Sequence, residues 1–193
     1  LFGLKKFHLA SMKTFIAVIF IGFLTYTCAN WQGSNHCKND VPSMENFNAT
    51  KFFTSKWYVT HYKNKTGDSI CQTFETSKTP DNKYVIEYKL GSDEQEIKFR
   101  CEAESEGDVK KLSFICTVNG ETAFQADYLI MGTDYDDYAV FYRCITFELS
   151  GSQDDNYLLL RRKEGVEEIP ECAMRLTSSL DLQKCTELTN SCL

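Results

Sequence analysis

The chain has 193 residues, with 21 Lys and Arg against 27 Asp and Glu, a formal net charge of −6. That acidic balance disfavours nucleic acid and anionic membrane as partners and leaves attraction to a basic partner open. It equally serves to keep a protein soluble.

From the N-terminus, Met12-Lys13 is followed by the apolar run Phe15–Leu24 and then Thr27-Cys28-Ala29. A basic start, a short apolar core and small residues before the cut predict a secretory signal peptide over 12–29, with 1–11 as translated leader. The run falls short of the ~20 apolar residues that span a bilayer, so no membrane anchor is expected. The remaining 30–193 suits one domain. Losing Lys5, Lys6 and Lys13 leaves 18 basic residues against 27 acidic ones, a net −9.

Of nine cysteines, eight remain after Cys28 leaves: Cys37, Cys71, Cys101, Cys116, Cys144, Cys172, Cys185 and Cys192. An even count in a secreted chain reads as up to four disulfides, whose connectivity spacing alone does not fix. No CxxC pair exists and His8, His36 and His61 are scattered, so no metal is expected. The sequons at Asn48 and Asn64 are expected glycan sites.

After Cys37, Met44–Asn48 reads as a short helical turn leading to Phe52-Phe53. Strand spacing then runs almost to the end. Lys56–Tyr62 is aromatic and β-branched, as strands prefer. Further runs follow at 70–77, 83–90, 95–104, 110–119, 122–133, 138–149 and 156–163, divided by turn chemistry such as Thr79-Pro80-Asp81-Asn82 and Asn119-Gly120. Eight strands with short links predict an all-β, up-and-down antiparallel barrel, followed by a C-terminal extension.

One hairpin can be placed in register. If Cys101 faces Cys116, then Phe99 faces Val118, Ala103 faces Phe114 and Ile97 faces Gly120. The apolar set falls on one face and Lys98, Arg100 and Glu102 on the other. A slip of one residue destroys that match, so a cross-strand Cys101–Cys116 disulfide is expected.

Three features resemble the lipocalin pattern. Ser55-Lys56-Trp57-Tyr58 is similar to the Gly-x-Trp motif of the first strand, and Thr133-Asp134-Tyr135 to the turn before the seventh. Arg161-Arg162 ends the eighth strand. Period two places Arg162 on the face of Leu158 and Leu160, making it the Arg expected over Trp57 at the closed end, a cation over an indole face. More broadly, Met44-Glu45-Asn46-Phe47, Trp57–His61, Tyr138-Ala139-Val140 and Arg143–Phe147 resemble salivary lipocalins of blood-feeding triatomine bugs, in the triabin/pallidipin branch. The resemblance implies Cys37–Cys144 and Cys71–Cys172 disulfides. It leaves Cys185 and Cys192 to each other, or one of them in place of Cys172.

Function follows in two alternatives. No nucleophile elbow, paired His or Gly-rich phosphate loop is present, so a binder is expected and not an enzyme. The Asp134, Asp136 and Asp137 cluster is ordinary turn chemistry. The resemblance extends to haem-binding relatives with a His in the third strand; here Glu87 takes that place, and no haem is expected. In the first alternative the barrel of a monomer holds a small host mediator: an eicosanoid, a biogenic amine or ADP. Val59, His61, Phe74, Glu87, Tyr88, Phe124, Tyr128 and Phe141 are the expected wall. His61 is placed inward by sharing a face with Trp57 and Val59, and Glu87 or Asp127 is expected near the mouth for an amine. In the second alternative the outer surface binds a basic exosite of a clotting protease, thrombin, through acids such as Glu94, Glu96, Glu102, Glu104 and Glu106. Both predict suppression of host haemostasis.

Overall fold

Asn48 caps the first helix, α1 (Ala49–Phe52), its side-chain oxygen accepting from the Lys51 N–H at 3.0 Å. The helix begins after the Met44–Asn48 turn, not within it, because Asn46 is left-handed with φ 54°. It delivers Phe52 and Phe53 into the base of a barrel. This computed structural model describes residues 36–65, 71–91, 96–104 and 110–189, all within the compact unit Gly33–Leu193. The leader and signal segments, Thr66, Glu94, Glu106 and Cys192 lie outside the described residues.

The strands are β1 (Lys56–Tyr62), β2 (Thr73–Lys78), β3 (Tyr84–Leu90), β4 (Ile97–Ala103), β5 (Leu112–Val118), β6 (Glu121–Thr133), β7 (Tyr138–Phe147) and β8 (Gln153–Arg161). Each pairs antiparallel with the next, and β1 pairs with both β8 and β2, closing an eight-stranded up-and-down barrel. The β4–β5 ladder carries Cys101 opposite Cys116 and Phe99 opposite Val118. Strands β2 and β5 alternate buried and exposed, as strands with one wet face do.

β7 and β8 do not alternate: eight of the ten β7 positions and eight of the nine β8 positions are buried. Their inner face joins the barrel core. Their outer face, with Val140, Tyr142 and Leu159, forms a second core with Val41, Ala173 and Leu180. The cover is the N-terminal strap and α2 (Glu171–Thr177), which packs against β6 and β7. The Tyr142 hydroxyl is held there, donating to Asp155 at 3.0 Å and accepting from Lys38 N–H at 2.7 Å.

The strap is bound by Cys37–Cys144, and Cys101–Cys116 braces β4 to β5. The third disulfide follows the alternative in which a C-terminal cysteine takes the place of Cys172. Cys71 bonds Cys185, not Cys172, and Cys185 is therefore unavailable to Cys192. The reason is β9 (Gln183–Lys184), which runs along β1 at His61 and Tyr62 and leads into α3 (Cys185–Thr189) beside Val59. That is where the β1–β2 connection arrives. Cys172, on α2 against β6 and β7, is exposed and unpaired among the described residues.

The closed end is organised by Arg162. Its guanidinium lies 3.6 Å from the Trp57 ring centroid, and Phe52 stacks on the same indole at 5.0 Å. Arg162 also donates to the carbonyls of Tyr135, Lys56 and Phe52 at 3.1, 3.1 and 3.0 Å, and Trp57 Nε1 reaches the Phe52 carbonyl at 3.3 Å. The Thr133-Asp134-Tyr135 turn is knitted beside it. Thr133 Oγ1 donates to the Tyr138 carbonyl at 2.6 Å, and Asp134 accepts from the Asp137 and Tyr138 N–H groups at 2.9 and 3.0 Å. Arg162→Met keeps the apolar cover but leaves three carbonyls without their charged donor. It is expected to lower stability by about 3–5 kcal/mol, a fall in Tm of roughly 6–20 °C. Arg162→Lys should recover less than half, since an ammonium cannot fork to several carbonyls. A Tm within a degree of the parent for Arg162→Met would show that the clamp is not what holds the base.

Candidate ligand site

At its closed end the barrel is full. Phe53 packs on Phe114 at 6.0 Å, Phe74 on Phe141 at 6.3 Å and Tyr128 on Phe141 at 5.3 Å. The cavity left among them is about 10 Å³, room for one water and no ligand. Of the expected wall residues, Val59, Phe74, Tyr88, Phe124, Tyr128 and Phe141 all face this interior.

Two do not. Glu87 lies on the outer face of β3, where Arg100 Nη1 holds it at 2.7 Å; the inner positions of that strand are Ile86 and Tyr88. His61 also faces outward. A register shift between Val59 and His61 inserts Thr60 as a bulge, so Val59 opposes Leu160 of the inner core while His61 opposes Leu159 of the outer one. The buried imidazole Nδ1 lies 3.0 Å from Thr60 Oγ1, beneath β9. The expected amine partner Asp127 is likewise outside, bound to Lys111 at 2.8 Å and Ser113 at 2.6 Å.

The mouth half of the interior is polar, and sequence reasoning missed it. Arg143 faces inward directly opposite Tyr128, and Asp154 faces inward opposite Ile145, two positions along from Arg143's own partner, Asn156. Exposure is 6% for Arg143, 1% for Asp154 and 3% for Tyr128. Arg143 Nε and both Asp154 carboxylate oxygens have no well-formed hydrogen bond among the described residues, the Asp155 backbone lying beside the carboxylate, and the Tyr128 hydroxyl lies against the Arg143 guanidinium. Burial pushes the Asp154 carboxyl up, against the pull of Arg143, and pushes the Tyr128 and Tyr88 phenols up. Asn156, fully buried, accepts from the N–H groups of Lys63 and Asn64 at 3.0 and 3.1 Å, fastening the start of the β1–β2 connection to β8.

A cleft opens in the wall nearby. β2 and β3 pair only from Glu75–Glu87 onward, and towards the mouth they part. The space is about 500 Å³. Tyr88 and Phe99, stacked at 5.0 Å, line it together with Glu75, Glu87, Lys89, Lys98 and Arg100.

Elsewhere on the surface, the described acids expected at an exosite are engaged. Glu96 pairs with Lys89 and Lys98, Glu102 with Arg100 and Lys83, and Glu104 with Lys83. Asn48 is exposed, whereas the Asn64 side-chain amide donates to the Asp155 carbonyl at 3.2 Å. Among the described residues there is no cluster of three metal-ligating side chains, and no helix is long and apolar enough to cross a membrane.

An eight-stranded up-and-down barrel sealed at one end by Trp57 under Arg162 is a lipocalin-type barrel. The family model described as Triabin matches residues 28–173, and the chain belongs to that family. Procalin of Hospesneotomae protracta is 33% identical over 177 residues, covering 90% of this chain and 99% of that one. Two solved structures share the fold. LTBP1 in complex with LTC4 is 24% identical, with a TM-score of 0.60 over 79% of this chain and 94% of that one. The tryptamine complex of the amine-binding protein of Rhodnius prolixus is 20% identical, with a TM-score of 0.61 over 83% and 90%.

The position of His61 has a consequence in acid. Burial is the main influence holding its pKa below the ordinary 6.5, while Glu167 and Glu187 pull upward and Lys184 and Arg161 downward. The unfolded chain therefore takes the proton first as pH falls. Stability from this group is intact above pH 6.5 and is lost as pH drops from there towards the folded-state value. Chemical denaturation of His61→Gln across about pH 7 to 5 should show a shallower loss of stability than the parent. Parallel curves for the two proteins would mean that His61 is not protonated on unfolding.

Proposed function

We propose that this protein is secreted in saliva and suppresses host haemostasis, meaning platelet aggregation, vasoconstriction or clotting, by sequestering a small host mediator in the mouth half of its barrel. The observation that carries this reading is the buried polar cluster at that end, Arg143 against Tyr128 with Arg143 Nε and the Asp154 carboxylate lacking well-formed partners, above a base packed with rings. Leaving such groups unpaired costs on the order of 1–3 kcal/mol each, so they are suited to a ligand that supplies the missing partners. The cleft between β2 and β3 is within the roughly 300–1,000 Å³ of small-molecule sites, lined by the Tyr88 and Phe99 rings and otherwise by charged and polar side chains. The filled base favours a compact or bent ligand. The LTC4 and tryptamine complexes of the two fold neighbours are consistent with an eicosanoid or an amine. The reading involves no catalysis and no haem.

Exosite binding to thrombin is less well supported, because the described acids it would use are already joined to Lys or Arg. Calorimetry of the monomer with leukotriene C4, a thromboxane mimetic, serotonin, tryptamine and ADP tests the proposal. At least one should bind, and Tyr88→Ala and Phe99→Ala should weaken it by about tenfold or more. If none binds and the protein blocks thrombin clotting of fibrinogen while sparing a small chromogenic substrate, the outer surface is the site.

A further inference from the structure

We infer that Arg143 and Asp154 form a two-charge subsite inside the barrel that takes an amphoteric head group, an anionic oxygen and a protonated amine a few ångströms apart, as in an amino acid or an aminoacyl conjugate. The inference rests on the reading that the ligand enters the barrel, and it names the chemistry of the part that reaches deepest.

Arg143 and Asp154 lie on adjacent strands, diagonally placed on the same inner face. Such neighbours have Cβ atoms about 7–8 Å apart or less, within reach of an arginine side chain. Two opposite charges so placed in a shielded interior would be expected to close on one another. They have not: no ion pair joins them, and Arg143 Nε and both carboxylate oxygens of Asp154 remain without well-formed hydrogen bonds. On the outer surface the reverse holds, where even half-exposed Glu87 and Arg100 meet at 2.7 Å.

Charges of both signs that stay apart on one buried inner face suit a partner that carries both. A simple amine would answer Asp154 and leave Arg143 unsatisfied; a simple carboxylate would do the opposite. Tyr128, opposite Arg143, adds a neutral donor beside the anionic end. Burial keeps its phenol protonated, so it can donate to an anion without opposing it.

Three probes sharing one ring test this on the full chain: tryptophan with both charges, tryptamine with the cation alone and indole-3-propionate with the anion alone, each measured by calorimetry. Tryptophan should bind about ten- to a hundredfold more tightly than either. Asp154→Asn should reduce tryptophan to the level of indole-3-propionate while leaving the latter within about twofold; Arg143→Met should reduce it to the level of tryptamine. The double variant Arg143→Met/Asp154→Leu removes both lone charges and should stay folded, since such apolar replacements are commonly neutral or stabilising. It should bind the three probes alike. Three probes of equal affinity to the parent, or none binding, would overturn the subsite. If a mediator from the earlier panel binds, is weakened by Tyr88→Ala and is indifferent to Arg143→Met and Asp154→Asn, the subsite fails and the sequestration reading stands. No mediator binding at all would remove that reading as well.

Discussion

Arg162 is the side chain on which this barrel depends. It covers the Trp57 indole and donates to carbonyls of α1, β1 and the β6–β7 turn, so the start of the barrel, the turn before β7 and the end of β8 share one cation. The carbonyls it takes lie at helix and strand ends, where backbone groups need partners from outside their own element. With the base closed this way, Phe52 and Phe53 are driven upward into the barrel, and the rings above them fill its lower half. The space in which a ligand can sit is therefore set at the opposite end from the clamp.

The charges divide by location. On the outer face, Lys56–Glu75, Glu87–Arg100–Glu102 and Lys83–Glu104 form short ladders across β1 to β4. Exposed pairs of this kind contribute little stability each, but they consume the acids that the net charge suggested were free. Inside, Arg143 and Asp154 stay apart and unsatisfied. The excess of acid thus describes the composition and says little about an acidic patch, and the groups with most unmet bonding capacity are the ones water reaches least.

Period-two patterning was enough to locate the eight strands and the β4–β5 register, because each rests on contacts between near neighbours or on one face of one strand; the Trp57–Arg162 closure came from the lipocalin resemblance, with the period choosing Arg162 over Arg161. What escaped was decided by segments far apart in the chain. The partner of Cys71 was left open between Cys172 and the C-terminal cysteines; the choice of Cys185 depends on β9 lying along β1, and nothing in the two residues Gln183-Lys184 marks a strand. The second core was foreshadowed by the apolar stretches Tyr138–Tyr142 of β7 and Tyr157–Leu160 of β8, the pattern of strands covered on both faces. Arg143 was legible too: counting by twos from Phe141 to Ile145 places it inside, and a charge at a core position is the kind of local violation that marks a working site.

The single extra residue at Thr60 has a reach beyond its own turn of chain. A bulge takes one residue out of the alternation, so the facing of everything that follows on the strand is no longer the one a count by twos from Trp57 would give. Deleting Thr60 would leave Val59 and His61 as consecutive partners of Leu160 and Leu159, so the imidazole would stay in the outer layer and Tyr62 in the interior. A lineage of such barrels can therefore gain or lose a residue at this point without altering the lumen wall, while the outer layer and the base clamp keep their positions.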